Sequence, residues 1–254
     1  MPAERETDME KNRLRQIMNS NPDGKLRDMV TELLYDDIVS LRIAPGSRLN
    51  VNQIAAALGI SRTPVAEAVA NLAEIGFVVN RPGQSGSFVL DLNLVDMINL
   101  YRVRSAIESE AAALCAHAAT DDVVRELSLL ADAFKESVLK RDIRGMKDTD
   151  MPFHRLIIES CGNPYIIQTY ELILPKLTMY QSSMLRFLVN DERDDNPWIP
   201  SVIYNHTSIV SAIRMRMPEV ARQTMADHVT TSLNFTSLSG TNSDPFTLLR
   251  GKTD

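Results

Sequence analysis

Residues 49–78 read Leu-Asn-Val-Asn-Gln-Ile-Ala-Ala-Ala-Leu-Gly-Ile-Ser-Arg-Thr-Pro-Val-Ala-Glu-Ala-Val-Ala-Asn-Leu-Ala-Glu-Ile-Gly-Phe-Val. A short helix is predicted over Val51 to Leu58, with Ile54, Ala55 and Leu58 inward, and Gly59 stops it where a left-handed residue is wanted. Ser61 stands where a cap for the next helix belongs, and Pro64 falls in its first turn, where a missing amide proton does no harm. That second helix is expected to bury Val65, Val69, Leu72 and Ile75 and to close at Gly76. Two helices joined by the tight Gly59-Ile60-Ser61 turn form a helix-turn-helix.

The surroundings complete a winged unit. Upstream, Leu26, Met29, Val30, Leu33, Leu34, Ile38 and Leu41 recur at spacings of three and four, the stripe of one more helix, which stops at Ala44-Pro45-Gly46. Downstream, Phe77 to Asn80 and Ser87 to Leu90 are β-prone runs around Arg81-Pro82-Gly83-Gln84-Ser85-Gly86, the pattern of a hairpin. Such a unit suits the major groove of DNA, with bases read from the N-terminal end of the second helix. The outward residues there are Arg62, Thr63, Ala66, Glu67, Ala70 and Asn71. Arg62 carries a fork of donors for a guanine edge, Thr63 reaches a phosphate or base, and Ala66 offers only a methyl contact to thymine. Arg81 and the loop from Gly83 to Gly86 would lie along the backbone or minor groove, and Arg48 is a further expected DNA-binding residue. Periodicity leaves a second reading open, a protein-interaction module of the same shape.

From Leu94 on, helical stripes recur at about 94–118, 121–140, 144–161, 164–189, 199–214 and 217–238, with short connections and the acidic loop Asn190 to Pro197. The fold class is therefore mainly α, a winged helix-turn-helix followed by an antiparallel six-helix bundle. The expected division is a flexible polar arm over 1–24, a DNA-binding domain over 25–92, a helical domain over 93–238, and a polar tail over 239–254. Length alone, at about 150 residues per domain, gives about 1.7 domains from 254 residues.

Composition is that of an ordinary globular protein, 44% hydrophobic and 24% charged. No membrane partner is expected, since no run approaches the roughly 18 apolar residues of a spanning helix. The start lacks a secretory core and two cysteines make no disulfide framework, so a cytoplasmic location is expected. The net charge of −6 argues at first against DNA. Residues 25–90, however, hold six Lys and Arg against six Asp and Glu, while residues 91–240 hold 15 against 20. The acidity belongs mostly to the bundle, and DNA affinity must lean on a few placed groups.

Within the bundle, Asp150 and His154 lie four apart on one helical face, and His206 and His228 fall on the fifth and sixth stripes. One carboxylate and three imidazoles converging in a bundle suit a divalent metal, zinc first, with nickel, manganese or iron as alternatives. Each residue also has a quieter reading, as a helix cap with its charge partner or as a hydrogen-bonded core histidine. A water-activating metalloenzyme is the rival class, although no His-Glu-x-x-His or comparable motif appears. A ligand-free module with core histidines is the third.

The motif Leu58-Gly-Ile-Ser-Arg-Thr-Pro-Val-Ala-Glu-Ala68, with Pro45-Gly46 and the Arg81 to Gly86 wing, resembles the DNA-binding domain of GntR-family bacterial regulators. Ala66 departs from it, since arginine is usual there. Leu94 to Leu238 resembles the helical FCD effector domain of the FadR subfamily, in its six-helix VanR-like branch. The likeness rests on Arg104-Ser-Ala-Ile-Glu108, Asp150-Met-Pro-Phe-His154, Gly162-Asn163, His206 before Ile209-Val-Ser-Ala-Ile213, and Met225-Ala-Asp-His228. Asn205, where an acid is usual, is expected in a supporting or solvent-facing position. The resemblance implies Asp150, His154, His206 and His228 as metal ligands, a homodimer on an inverted-repeat operator, and a repressor of a catabolic operon released or reoriented by a small organic acid. Arg104 and Tyr101 are the expected effector-binding residues. Arg104 has an alternative partner in Glu108 one turn along, and Met146, Met151, Met179 and Met184 are either pocket or core.

Overall fold

The computed structural model describes residues 2–190 and 198–238; the acidic loop and the polar tail expected from sequence lie outside the described residues. The chain forms two compact units that part between Leu92 and Asn93.

The first unit contains α1 (Pro2–Ser20), α2 (Leu26–Val39), β1 (Arg48–Leu49), α3 (Val51–Leu58), α4 (Arg62–Glu74), β2 (Val78–Asn80) and β3 (Ser87–Val89). Asn50 caps α3 by accepting from the amides of Asn52 and Gln53, and Gly59 ends it at φ +70°, a conformation that costs a side-chain-bearing residue strain. Val65, Ala68, Val69 and Leu72 of α4 are buried against the Met29, Val30, Leu33 and Ile38 face of α2. Ile75, expected inside, is instead 49% exposed, because α4 ends at Glu74 and Ile75 is its C-cap residue.

Two features escape the periodicity argument. The wing is three-stranded, in the order β1-β3-β2, with Arg48 opposite Phe88 and Val78 opposite Val89. A two-residue strand has no period to detect. The expected flexible arm over 1–24 is corrected by helix α1. Its C-terminal half is pinned by Leu14, only 3% exposed, and by Arg13, whose guanidinium donates to buried Asp37 of α2. The apolar stripe is too short to stand out in polar sequence, but one buried leucine and one ion pair to another helix are enough to dock it.

The second unit is a bundle of α5 (Leu94–Ala118), α6 (Asp121–Leu139), α7 (Ile143–Ser160), α8 (Pro164–Asn190), α9 (Trp198–Arg214) and α10 (Pro218–Leu238). Asn93, Thr120 and Asp142 cap α5, α6 and α7, and Asn163 accepts from the first amides of α8. Phe134, Val138, Met146, Leu185 and Val202 form one apolar cluster where α6 to α9 meet. Among the described residues no helix is long and apolar enough to cross a membrane.

Candidate functional site

In the bundle, α7 carries Asp150 and His154 inward, α9 carries His206, and α10 carries His228. All four are at least 94% buried, and one ligand atom from each lies within 4.8 Å of the others. His206 Nε2 is 2.9 Å from Asp150 Oδ1, and His228 Nε2 is 3.2 Å from His154 Nε2. The outer faces of two rings are fixed. Nδ1 of His206 lies 2.8 Å from the carbonyl of Val202, which can only accept, and Nδ1 of His154 lies 2.8 Å from Glu108 Oε2.

Those partners put the proton of a neutral ring on Nδ1 and turn an Nε2 lone pair inward. His206 Nε2 then faces Asp150 Oδ1 acceptor to acceptor, whereas the neutral His228 ring, with no partner for its Nδ1 among the described residues, can donate from Nε2 to His154 Nε2. Two facing acceptors in a dry interior, with a third imidazole beside them, leave a place for a cation between them. An Asp and three imidazoles, with no thiolate, are donors of the right kind for zinc, nickel, manganese or iron.

Electrostatics around the cluster sharpen this. Burial, then the nearby His206, His154 and Arg104, holds the His228 imidazole well below its usual range. Burial alone would raise the Asp150 and Glu108 carboxyls. For Asp150 the contact with His206 and the charges of His154, His206 and Arg104 win, and for Glu108 those of Arg104 and His154, so both are held low.

A pH dependence follows. Below about pH 6.5 an unfolded His228 takes a proton that the folded one refuses, so stability falls with pH by up to about 1.4 kcal/mol per unit. The lowered carboxyls add stability that is present above about pH 4 and lost below it. Metal-free protein should therefore show a melting temperature that declines from pH 7 to pH 5; a flat profile there would contradict the assignment.

Arg104 and Tyr101 lie beside the cluster rather than apart from it. With Asp150, Gln181, Met184 and His228 they line a cavity of about 20 Å³, room for about one water. Arg104 gives its Nε to Glu108 at 2.7 Å, the alternative partner foreseen for it, yet its Nη2 is buried with no hydrogen-bond partner among the described residues. Tyr101 lies under the guanidinium, 5.3 Å from ring centroid to Cζ. Of the four methionines considered, Met184 borders the cavity while Met146 and Met179 are core. Asn205 is buried, which removes the solvent-facing option.

Sequence reasoning missed Gln181, whose amide donates to Asp150, and gave Glu108 no role toward the histidines. Nothing in the spacing marks Gln181; Glu108 was visible only as the acid four residues after Arg104.

In the first unit, Arg62, Thr63 and Ala66 are exposed at the start of α4, and Arg62 makes one long contact of 3.4 Å to Asn52. Ser61 stands at the N-cap with extended backbone but gives no side-chain cap. Asn71 leaves the expected DNA set: it is half-buried two turns further on, and its amide donates to Thr31 of α2. Arg81 stacks over Phe88 at 4.6 Å and lies 4.0 Å from Asp91, at the base of the wing. Gly83 is open at the tip, and Gly86, at φ +109°, lets Arg48 lie within 2.8 Å of where a Cβ would stand.

The profile described as bacterial regulatory proteins, gntR family, matches residues 26–89, and that of the FCD domain matches residues 99–231, just over half of the chain. The chain belongs to the FCD-containing GntR regulators. The HTH-type transcriptional repressor RspR of Escherichia coli is 26% identical over 82% of this chain and 88% of its own. The gluconate operon transcriptional repressor of Bacillus licheniformis is 25% identical over 70% of this chain and 72% of its own. The solved structure of E. coli McbR/YncC shares the fold, with a TM-score of 0.66 at 21% identity, over 84% of this chain and 97% of that one. This GntR regulator is thus a DNA-binding transcription regulator rather than an enzyme.

Proposed function

We propose that this GntR regulator is a metal-containing cytoplasmic repressor that binds an inverted-repeat operator as a homodimer and responds to a small carboxylate. The observation that carries the proposal is the buried Asp150, His154, His206 and His228 set with the unpartnered Arg104 Nη2 at its edge. Those four residues would hold the ion, zinc first by donor type, whose chemistry when bound is to accept a carboxylate oxygen. Glu108 holds both His154 and Arg104 in place, and Arg104 offers its free donor to the second carboxylate oxygen. A cavity near one water in size means that effector entry must move side chains or helices, which gives the ligand different affinities for two bundle states. Repression is supported by the character of the two curated relatives named above.

On DNA, Arg62 and Thr63 read or position at the groove, and Ala66 leaves one base preference relaxed relative to an arginine there. Arg48 and the wing tip at Gly83 and Gly86 serve the backbone or minor groove, with Arg81 braced behind them. The test is binding to the DNA upstream of the regulator's own gene. Arg62→Ala should lose about 1–3 kcal/mol there, roughly 5- to 150-fold, with less change on random DNA. Absence of sequence-selective binding by the wild type would overturn the reading.

A further inference from the structure

Helix α1 lies outside the matched DNA-binding segment, which begins at residue 26. Its second half is basic: residues 11–20 contain Lys11, Arg13 and Arg15 and no acid, whereas residues 25–90 balance six cations against six anions. α1 packs on α2 and α3 of the reading unit, held there by Leu14 and by Arg13 on Asp37. Arg13 is thereby engaged.

Lys11 and Arg15 are left over. They stand one turn apart, so both project from the same side of α1, and neither forms an ion pair among the described residues. Lys11 is half-buried and Arg15 exposed. The Cε of Lys11 comes within 3.4 Å of where a Cβ on Gly59 would be. Gly59 opens the turn that leads into α4, two residues before Ser61 and three before Arg62. A lysine stem therefore rests against the turn preceding the reading end of α4, beside the DNA strand whose groove that end enters.

We propose that α1 is part of the DNA-contacting surface, with Lys11 and Arg15 binding phosphates that flank the groove occupied by α4. The inference rests on the placement of α4 in the major groove. A competing role for Lys11 alone is to neutralise the C-terminal carbonyls of α3, which a cation stabilises without any DNA. The two roles have different signatures. Phosphate contacts are sequence-independent and release counterions, at about 0.9 in the slope of log K against log salt for each phosphate.

The experiment is a salt series of binding by the full chain to a random-sequence duplex and to its own upstream DNA, for wild type and for Lys11→Gln/Arg15→Gln. The expected result is a slope shallower by about 1.8 per bound protomer, weaker binding to both duplexes by a similar factor, and an unchanged melting temperature. A wild-type slope in the double variant would overturn the proposal, and a lowered melting temperature with that slope would assign Lys11 to α3. Failure of the wild type to bind either duplex would overturn the placement of α4, and this proposal with it.

Discussion

Glu108→Ala should be the most damaging single change in the bundle. It removes, at a residue 1% exposed, the partner of the buried Arg104 guanidinium and the carboxylate beside His154. Breaking a buried pair from one side leaves an uncompensated charge, which costs about 3–5 kcal/mol. In a protein of this size that corresponds to a melting temperature lower by roughly 6–20 °C. Losing the outer partner of a ligating histidine should also weaken metal affinity about 10- to 100-fold. The double variant Arg104→Met/Glu108→Leu separates the two effects: with both charges gone, much of the stability should return while metal affinity stays low. Thermal denaturation with and without added zinc reads both quantities. A Glu108→Ala protein that melts within about 2 °C of wild type would show that the pair does not bear on stability in this way.

Removing the ion should have an effect of similar size. A ligand present at about 1,000 times its dissociation constant stabilises the folded state by about 4 kcal/mol, so chelation should lower the melting temperature and zinc should restore it. Asp150→Asn is the cleanest genetic counterpart. It keeps the shape and the contact with Gln181 but removes the one carboxylate among the four donors. His206→Ala is less clean, because the imidazole packs against Phe134 and Phe153 at 4.4 and 4.7 Å and its loss also opens a cavity. Elemental analysis should find metal in wild type and little in Asp150→Asn after dialysis. Equal metal content in the two proteins, with no thermal response to chelator, would remove the metal from the account and leave the four residues as a hydrogen-bonded core.

The reading unit and the bundle differ in how openly the sequence displays them. The Gly59 turn, the uninterrupted stripe of α2 and the six stripes after Leu94 are local patterns, and each became an element with ends within one or two residues of expectation. The four histidine and aspartate positions were also legible, since helical spacing places Asp150 beside His154 and the remaining two on later helices. Asn71 was misread for a simple reason: spacing on α4 alone turns it outward, while α2 supplies Thr31 to receive its amide. The helix at residues 2–20 was overlooked because what orders it is a residue on another helix, Asp37.

By itself, then, the sequence determined the order and type of the elements from α2 onward, the two-residue β1 excepted, and the donors available to a metal, because turn residues, helix caps and apolar spacing act within a few residues of one another. Tertiary structure alone decided which way those donors face. The inward lone pairs of His154 and His206 depend on Glu108 and the Val202 carbonyl, and the Arg104 Nη2 lies at a pocket lined from all six bundle helices. A hydrogen bond between helices leaves no periodic mark on either strand of sequence, yet it sets the tautomer, the charge and hence the chemistry of the site.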